Sequence, residues 1–565
     1  MLAVCTLVAL NFFLLDIRPF WLATVLVVAN NAAIVALWRR LEGPPEGGHY
    51  VPRRGAGPTT GVVSGFSRTL VAALAIALLF VAAHAWLTEI LVHPHDPQRA
   101  DMLVVIQLGI RRLLQGHTPY TMYQIPWPVT LPYGPVMWAP MVAPYLLHAD
   151  IRFATLLGAL VLPAACALAA IARARRGDVA NTIGWLLVLG AIAFSTDVAN
   201  FLAVGHTPTY WPLLPLFAWT LDRRRWIAAA ILCGLLIVGR TTMIALAPVL
   251  LMAVWQRERP RAMAVVVALG SAIVVPLLPF AIADFASLRY AFYGSYQSVI
   301  KGFVWTSTDW AQNTVGVTGL LLARGWRAAV EPVQAVAMLA VVAAIWRRLR
   351  HGDDPVVWAA LSLLVFSMTT LWPVVYVYFD VFLLLASAAL VRDWPADARG
   401  WTTWGVSLAS AGIVLLATTL AMVPSRASID VGTASARPSL YAGFSGDERA
   451  GDRDFAWVDG TRAKVLVPSL RRRDATIVLT CEPYIAARDG RQQVTATLNG
   501  VLLGTADIRG GWQEVAFRAP ARAWQIGVNE LELFLATATA PRDAGEGADT
   551  RRLSIAIDRL NVTTP

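Results

Sequence analysis

Residues 93–145 read HPHDPQRADMLVVIQLGIRRLLQGHTPYTMYQIPWPVTLPYGPVMWAPMVAPY. Two carboxylates, Asp96 and Asp101, sit just past an apolar run at about Ser67–Val92. A short amphipathic segment follows, then a Pro- and aromatic-rich run that leads back into apolar sequence. A carboxylate placed there lies in the aqueous rim of a bilayer, within reach of a substrate whose tail is lipid. Its chemistry would be that of a general base taking the proton of an attacking hydroxyl. Transfer from a lipid phosphate also needs a cation or hydrogen-bond donors for the departing phosphate. Arg240 is the foremost candidate, because it interrupts the apolar stretch CGLLIVGRTTMIALAP. A charge at that depth is costly and by default faces an interior or watery site. His206, between two apolar segments, and Arg289 and Lys301, in a second polar and aromatic stretch, are further phosphate candidates. Each has a plainer reading: Asp101 caps the helix it opens, Arg240 snorkels or forms a structural pair, His206 ends a helix, and Asp96 is a solvated loop residue. His93, His95 and Asp96 are close enough to suggest a metal ligand set, but a single cluster of this size is a weak signal. No metal and no cofactor are assigned.

The elements that must position these residues are membrane helices. The chain has 565 residues, of which 57% are hydrophobic and 15% charged, and its mean hydropathy is +0.57. Repeated apolar runs of about 18 residues or more can each cross a ~30 Å hydrocarbon core. The net charge of +11 comes from Lys and Arg in short loops, which read as topology determinants and not as a nucleic-acid surface. Cys5, Cys166, Cys233 and Cys481 are scattered and imply neither a disulfide framework nor a zinc site. The basic loops 38–54, 172–178, 221–226, 255–261, 346–353 and 391–399 orient the chain toward the cytoplasm. This gives about thirteen transmembrane helices, with an amino terminus inside and a carboxyl terminus outside a bacterial-type cytoplasmic membrane. The segments 226–239 and 241–254 form either a shallow hairpin or one long tilted helix. Three regions then fall outside: the acidic loop 93–134, the loop 283–327, and everything past about Val423.

The last region changes character. Short alternating runs, ATIVLTCE, QQVTATL, VLLGTADI, WQEVAF, NELELFLA and RRLSIAIDRLNV, are separated by turn signals. Asn499-Gly500 between two such runs is a strong hairpin signal. The expectation is an antiparallel sandwich or jelly roll, serving either to bind glycan or to guide an acceptor. The domain plan is therefore residues 1–66, a helical hairpin and cytoplasmic loop; 67–423, a transmembrane catalytic domain; and 424–565, an extracytoplasmic β-sandwich.

The order of an outer loop with Asp, a short helix, Leu-Leu-x-Gly-x-x-Pro-Tyr and an aromatic-Pro helix start resembles the GT-C superfamily of integral-membrane glycosyltransferases. It is most similar to the branch that uses polyprenyl-phosphate mannose, glycosyltransferase family 87 and its relatives. The carrying residues are Ala100 to Val104, Leu113 to Tyr120 and Leu131 to Pro135, with weaker echoes at Val204 to Thr207, at Asn313 ahead of Gly316, and at Trp372-Pro373 through Tyr378-Phe379. The resemblance implies Asp101 as the catalytic base and Arg240 as a donor-phosphate ligand, while Asp96, by its place in the loop, is a second candidate for catalysis or substrate orientation. It also implies acceptor or sugar contacts at Tyr120, Tyr133, Asn313, Tyr376 and Tyr378. The implied activity is inverting transfer of a sugar, mannose in that branch, from a polyprenyl-phosphate donor to a glycan or glycolipid at the outer face. The chain departs from the family at Leu-Pro-Tyr-Gly-Pro, where Tyr-Pro-Pro is usual, and in its two additional amino-terminal segments. The alternative is a transporter or flippase of lipid-linked sugars with an external glycan-binding module. That class should show internal repeats, and no convincing repeat is present.

Overall fold

The computed structural model describes residues 1–42, 65–205, 208–306, 314–372, 374–393, 400–422, 427–484 and 491–563. The chain divides into two compact units: Met1–Trp86, Asp101–Val142 and Ala154–Leu415 form the first, and Leu87–Ala100, Ala143–Phe153 and Leu416–Pro565 the second.

The first unit is helical. Its principal helices, with those that run into the second unit, are α1 (Leu2–Leu14), α2 (Phe20–Glu42), α3 (Gly65–Leu91), α4 (Pro97–Leu114), α5 (Arg152–Arg175), α6 (Val179–Phe194), α7 (Thr196–Ala203), α8 (Leu213–Asp222), α9 (Trp226–Gly239), α10 (Ala247–Arg257), α11 (Ala262–Arg289), α12 (Val330–Arg350), α13 (Pro355–Met368), α14 (Val377–Asp393) and α15 (Gly400–Ala421). Six helices among the described residues are long and apolar enough to cross a membrane, or seven if the pair α6 and α7, bent by 49°, counts as one span. Thirteen full-length spans are thus not reached by length and composition. Helices such as α1, with 13 residues, rise only ~20 Å at 1.5 Å per residue.

Two breaks depart from straight spans. Arg240 is extended (φ −149°, ψ 122°) and separates α9 from a 3-10 turn, Thr241–Leu246, that feeds α10. The expected loop 283–327 instead begins as helix. Asp284 is non-helical inside α11, its carboxylate accepts the Ser287 N–H at 3.0 Å, and helical turns continue as far as Lys301. A capping carboxylate and no proline from Phe285 to Lys301 allow the helix to restart.

The two amino-terminal helices are packed into the helical unit. Phe12 of α1 lies 5.5 Å and 6.4 Å from the rings of Phe382 and Phe379 of α14. Between α1 and α2, three buried amides bond one another. Asn30 Nδ2 donates to Asn11 Oδ1 at 2.9 Å, and Asn31 Nδ2 donates to the same oxygen at 3.1 Å. Interhelical amide bonds of this kind hold apolar helices in register, because lipid offers no competing partner. Thr24 of α2 also accepts the Gly316 N–H at 2.9 Å.

The second unit is built on a β-sandwich. Its strands are β3 (Ala427–Asp430), β4 (Leu440–Ala442), β5 (Phe444–Ala450), β6 (Arg453–Asp459), β7 (Arg462–Ser469), β8 (Ala475–Pro483), β9 (Gln492–Leu498), β10 (Val501–Ile508), β11 (Gln513–Ala519), β12 (Gly527–Leu535) and β13 (Leu553–Thr563); β1 (Met122–Gln124) and β2 (Pro128–Thr130) form a small hairpin in the first unit. One sheet has the order β10-β9-β12-β7-β4, the other β11-β8-β13-β6-β5 with β3 against β13. Period-two alternation sends Val465, Val467, Leu531 and Leu533 of one sheet against Ile477, Leu479, Ile555 and Ile557 of the other. Asn499 and Gly500 both have positive φ (49° and 79°) at the turn from β9 to β10, as a two-residue hairpin requires. Strands β5 to β7 escape the sequence pattern, because their charged residues blur the alternation.

Replacing Asn11 by Leu removes the acceptor shared by Asn30 and Asn31. The expected result is a loss of roughly 1 kcal/mol, seen as a lower midpoint of thermal unfolding in detergent. An unchanged midpoint would mean that the amide cluster does not hold α1 to α2.

Candidate active site

The first unit gathers an acid, a cation and two phenols. Asp101 follows Ala100, whose non-helical backbone (φ −151°, ψ 58°) interrupts α4. The Asp101 carboxylate accepts the N–H of the next residue, Met102, at 2.7 Å, a more local bond than the N2 or N3 contact of a helix cap, and the residue is half-buried. Burial pushes its carboxyl above the usual carboxylate range, against the opposing effect of the Met102 N–H. Asp101 acts electrostatically on Tyr133 and on Tyr376, and Arg240 acts on the same two phenols. The four side chains therefore share one neighbourhood.

Arg240 occupies the extended break after α9. Its Nη1 donates to the Tyr210 hydroxyl at 3.1 Å and lies 3.4 Å from Asp380 Oδ2. The guanidinium also stands 4.9 Å from the ring centre of Tyr376. Asp380 is fully buried, yet its carboxylate is well supplied: Tyr210 donates at 2.8 Å and Trp211 Nε1 at 2.8 Å. Trp372 Nε1 donates to the Tyr376 hydroxyl at 2.5 Å, and Phe201 stacks on Tyr376 at 5.2 Å and on Trp211 at 5.8 Å. The arginine side chain is 12% exposed, and its contacts to Tyr210 and Asp380 among the described residues both fall on Nη1. A guanidinium has five N–H donors, so an incoming anion can be met without dismantling the Asp380 pair.

Two glycines set the spacing. A Cβ on Gly134 would stand 2.0 Å from the Val238 carbonyl oxygen, so only glycine lets the Tyr133 loop press on the end of α9 beside Arg240. Gly205 has φ +77°, and a Cβ there would meet Leu103 at 2.7 Å, two residues from Asp101. Tyr120 is buried and donates to the Tyr133 carbonyl at 3.0 Å, which fixes the same loop from behind.

The remaining candidates lie elsewhere. Tyr378 is fully buried and donates to the Val315 carbonyl at 3.2 Å, holding the Gly316 turn. Lys301 is ion-paired with Glu331 at 2.5 Å. Arg289 is exposed near the end of α11. His206 and Asn313 lie outside the described residues. Tyr210 and Trp211 carry no motif signal, and Asp380, which the sequence places with Tyr376 and Tyr378 at a helix mouth, gives no sign there that it pairs with Arg240. The only sequence signal for them was the lone Arg240, which demanded a counter-charge.

Asp96 belongs to the second unit. Its carboxylate accepts the Gln98 N–H at 2.7 Å and a hydrogen bond from Tyr441, whose hydroxyl is pushed up by burial and by that carboxylate. The His95 ring and the His93 backbone join a buried ion pair, while the His93 Nε2 is buried without a hydrogen-bond partner among the described residues. Arg152 Nη2 contacts Asp150 Oδ2 at 2.6 Å, with both side chains fully buried, and donates to the His93 carbonyl at 3.2 Å. His95 Nε2 is 3.1 Å from both Asp150 Oδ2 and Arg152 Nη2. A neutral Nε2 accepts from Arg152, whereas a protonated one donates to Asp150. Burial, with Arg152 adding to it, lowers His93 to about 4. Burial alone would raise Asp150, but Arg152 and His95 hold it well below the usual carboxylate range. Among the described residues no three His, Cys, Asp or Glu side chains are grouped to hold a metal.

Residues 131–373 match the model of glycosyltransferase family 87. No curated protein matches the sequence. Among solved structures, the chain is similar to the arabinosyltransferase EmbB from Mycobacterium smegmatis (10% identity, 96% of this chain and 68% of that one, TM-score 0.30). It is also similar to the C-terminal CBM6 of LamC, a marine laminarinase from Zobellia galactanivorans (14%, 25% and 99%, TM-score 0.18). A third is a family 35 carbohydrate binding module from Clostridium thermocellum (11%, 25% and 100%, TM-score 0.19). At such TM-scores these likenesses fix neither activity nor ligand.

Removing the counter-charge should expose the cost of the buried cation. Asp380→Ala leaves Arg240 unpaired and is expected to destabilise the helical unit by about 3–5 kcal/mol. Arg240→Met in the same chain should restore much of that loss. Thermal unfolding of the single and double variants checks it, and additive losses would mean that the two side chains are not coupled.

Proposed function

We propose that this membrane glycosyltransferase of the GT-C type takes its sugar, mannose, from a polyprenyl-phosphate donor and passes it to a glycan or glycolipid at the outer face of the cytoplasmic membrane. The observation that supports the reading is Arg240 lying 4.9 Å from the Tyr376 ring, beside the Tyr133 loop that Gly134 seats on the end of α9, with Asp101 two residues from the Leu103 that Gly205 admits. An acid and a cation match the two demands of the reaction. The acceptor hydroxyl gives its proton to the Asp101 carboxylate as its oxygen bonds to the anomeric carbon. The bond from that carbon to the phosphate oxygen breaks, the phosphate leaves with the electron pair, and the Arg240 guanidinium stabilises its charge. A single displacement inverts the anomeric centre, so a β-linked donor gives an α-linked product. Tyr376 and Tyr133 offer hydroxyls and ring faces to the sugar between the two. In the same reading, the β-sandwich holds the acceptor glycan.

The raised Asp101 carboxyl supports a base stronger than an exposed carboxylate. A base must be ionised, so activity is full above its raised pKa and falls as pH drops through it. The acid limb of the rate profile should therefore lie higher than an ordinary aspartate would give.

Purified protein in nanodiscs, given radiolabelled polyprenyl-phosphate mannose and a membrane glycolipid extract, tests the reading. Wild type should transfer mannose to lipid or glycan, and Asp101→Asn should lose a factor of about 10²–10⁴. Arg240→Gln should weaken donor use without shifting the acid limb. Equal transfer by wild type and Asp101→Asn would remove Asp101 from the chemistry. Export of intact donor with no transfer would replace the reading with a flippase.

A further inference from the structure

The sheet β11-β8-β13-β6-β5 carries aromatic side chains on the face turned away from its core. In β6, Ala456 and Val458 enter the sandwich core, so Phe455 and Trp457 project from the other side. Tyr484, directly after β8, and Trp512, directly before β11, add two rings to the same region. The ring centres of Trp512 and Phe455 are 5.7 Å apart, those of Phe455 and Trp457 6.1 Å, and those of Trp457 and Tyr484 6.0 Å. The four form one continuous chain of rings. Trp457, Tyr484 and Trp512 are half-buried, and Phe455 is buried beneath its neighbours. Ala556 of the central strand β13 pairs with both Trp457 and Glu482, and its single methyl leaves the rings room above the strand. The solvent side of an antiparallel sheet is ordinarily polar, and core packing does not account for this aromatic row.

The charges around it are held in pairs. Arg453 stands 5.1 Å from the Trp512 ring centre and 3.4 Å from Asp558. The Tyr484 hydroxyl donates to Glu546 at 2.7 Å. Arg551 bridges Glu448 at 2.5 Å and Asp549 at 2.6 Å. Paired charges are fixed donors and acceptors that meet a ligand's hydroxyls without reorganising. Four carboxylates beside the row, Glu448, Glu546, Asp549 and Asp558, are held by two guanidiniums and the Tyr484 hydroxyl, a balance that suits an uncharged ligand. Flat rings beside oriented hydrogen-bonding groups suit a ligand with apolar C–H faces and many hydroxyls.

We propose that this face is a binding site for a neutral polysaccharide, with sugar rings laid on Trp457 and Trp512 and hydroxyls taken by the paired rim charges. The proposal rests on the reading of the sandwich as a glycan holder, and it names the face and the class of glycan.

The full-length protein in nanodiscs would be titrated with mannan, arabinan and a β-glucan as neutral probes, and with polygalacturonate as an anionic one. At least one neutral polysaccharide should bind. Trp457→Ala and Trp512→Ala should each weaken that binding by about tenfold or more, equivalent to ~1.4 kcal/mol. Phe534→Ala, which removes an exposed ring of the other sheet, should not. Because a tryptophan variant can misfold, saturating glycan should also protect Trp457 and Trp512 of the wild type from oxidative labelling, read by peptide mass spectrometry. Undiminished binding by both variants, or no protection, would overturn the assignment of the face and leave the sandwich as a glycan holder. Failure of every polysaccharide to bind wild type would overturn that broader reading as well, and binding of polygalacturonate alone would overturn the neutral class.

Discussion

One buried charge governs the helical unit. Arg240 stands in an apolar stretch where no lipid can solvate it, so it must be paired or reach water. Asp380 supplies the pairing and is itself fully buried, which creates a second demand. A carboxylate taken out of water needs hydrogen bonds on its remaining lone pairs, and Tyr210 and Trp211 give them. These two residues precede α8, Asp380 lies on α14, and Arg240 follows α9. The network thus ties three distant pieces of sequence to one point. The helix break at Arg240 belongs to the same solution, since an extended residue turns the guanidinium toward its partners.

The second unit solves the same problem with another pair. Asp150 and Arg152 are both fully buried, and the backbone beside them is stitched to the sandwich. The Asp150 N–H donates to the Ile526 carbonyl at 2.7 Å, and the Ile526 N–H donates to the His148 carbonyl at 3.0 Å. Arg152 then reaches the His93 carbonyl and His95. This is why residues 87–100 and 143–153, which are remote in sequence from the strands, belong to one compact unit with them. Of the two histidines, His95 lines this ion pair with its ring and His93 only with its backbone carbonyl.

Much of the architecture was legible in the sequence, for reasons that can be named. Apolar runs separated by basic loops gave the helices, and period-two alternation with Asn499-Gly500 gave the later strands. Arg240 stood out because a lone charge among apolar residues has few acceptable explanations. Its pairing did not, because Asp380 lies 140 residues further on and Tyr210 30 residues back, and such separations leave no local trace. Asn11, Asn30 and Asn31 were hidden likewise, since an amide in an apolar run resembles any tolerated polar residue until its neighbour helix is known. The stretch from Asp284 to Lys301 was misjudged for a different reason. Its hydroxyls and aromatics resemble loop composition, whereas a capping aspartate and the absence of proline decide for helix. Strands β5 to β7 were lost to the charges now found paired along the sandwich rim.

The arrangement at Asp101 shows how one carboxylate can be held at a helix break and still be available to a proton. Its bond to the Met102 N–H uses one oxygen and favours the charged form, while burial disfavours it, and burial prevails. A fully solvated aspartate would be a weaker base, and one bonded more heavily would have fewer lone pairs left for the substrate proton. Arg240 acts in the opposite sense on the same phenols, and its own counter-ion is committed to Tyr210 and Trp211. The guanidinium is therefore held in place without being neutralised along its whole edge. For the proposed transfer this matters more than the total charge, because fixed dipoles and charges need no rearrangement when the phosphate departs. The acid and the cation can each be strong only because the partners that hold them, Met102 on one side and Asp380 on the other, occupy a single atom or edge.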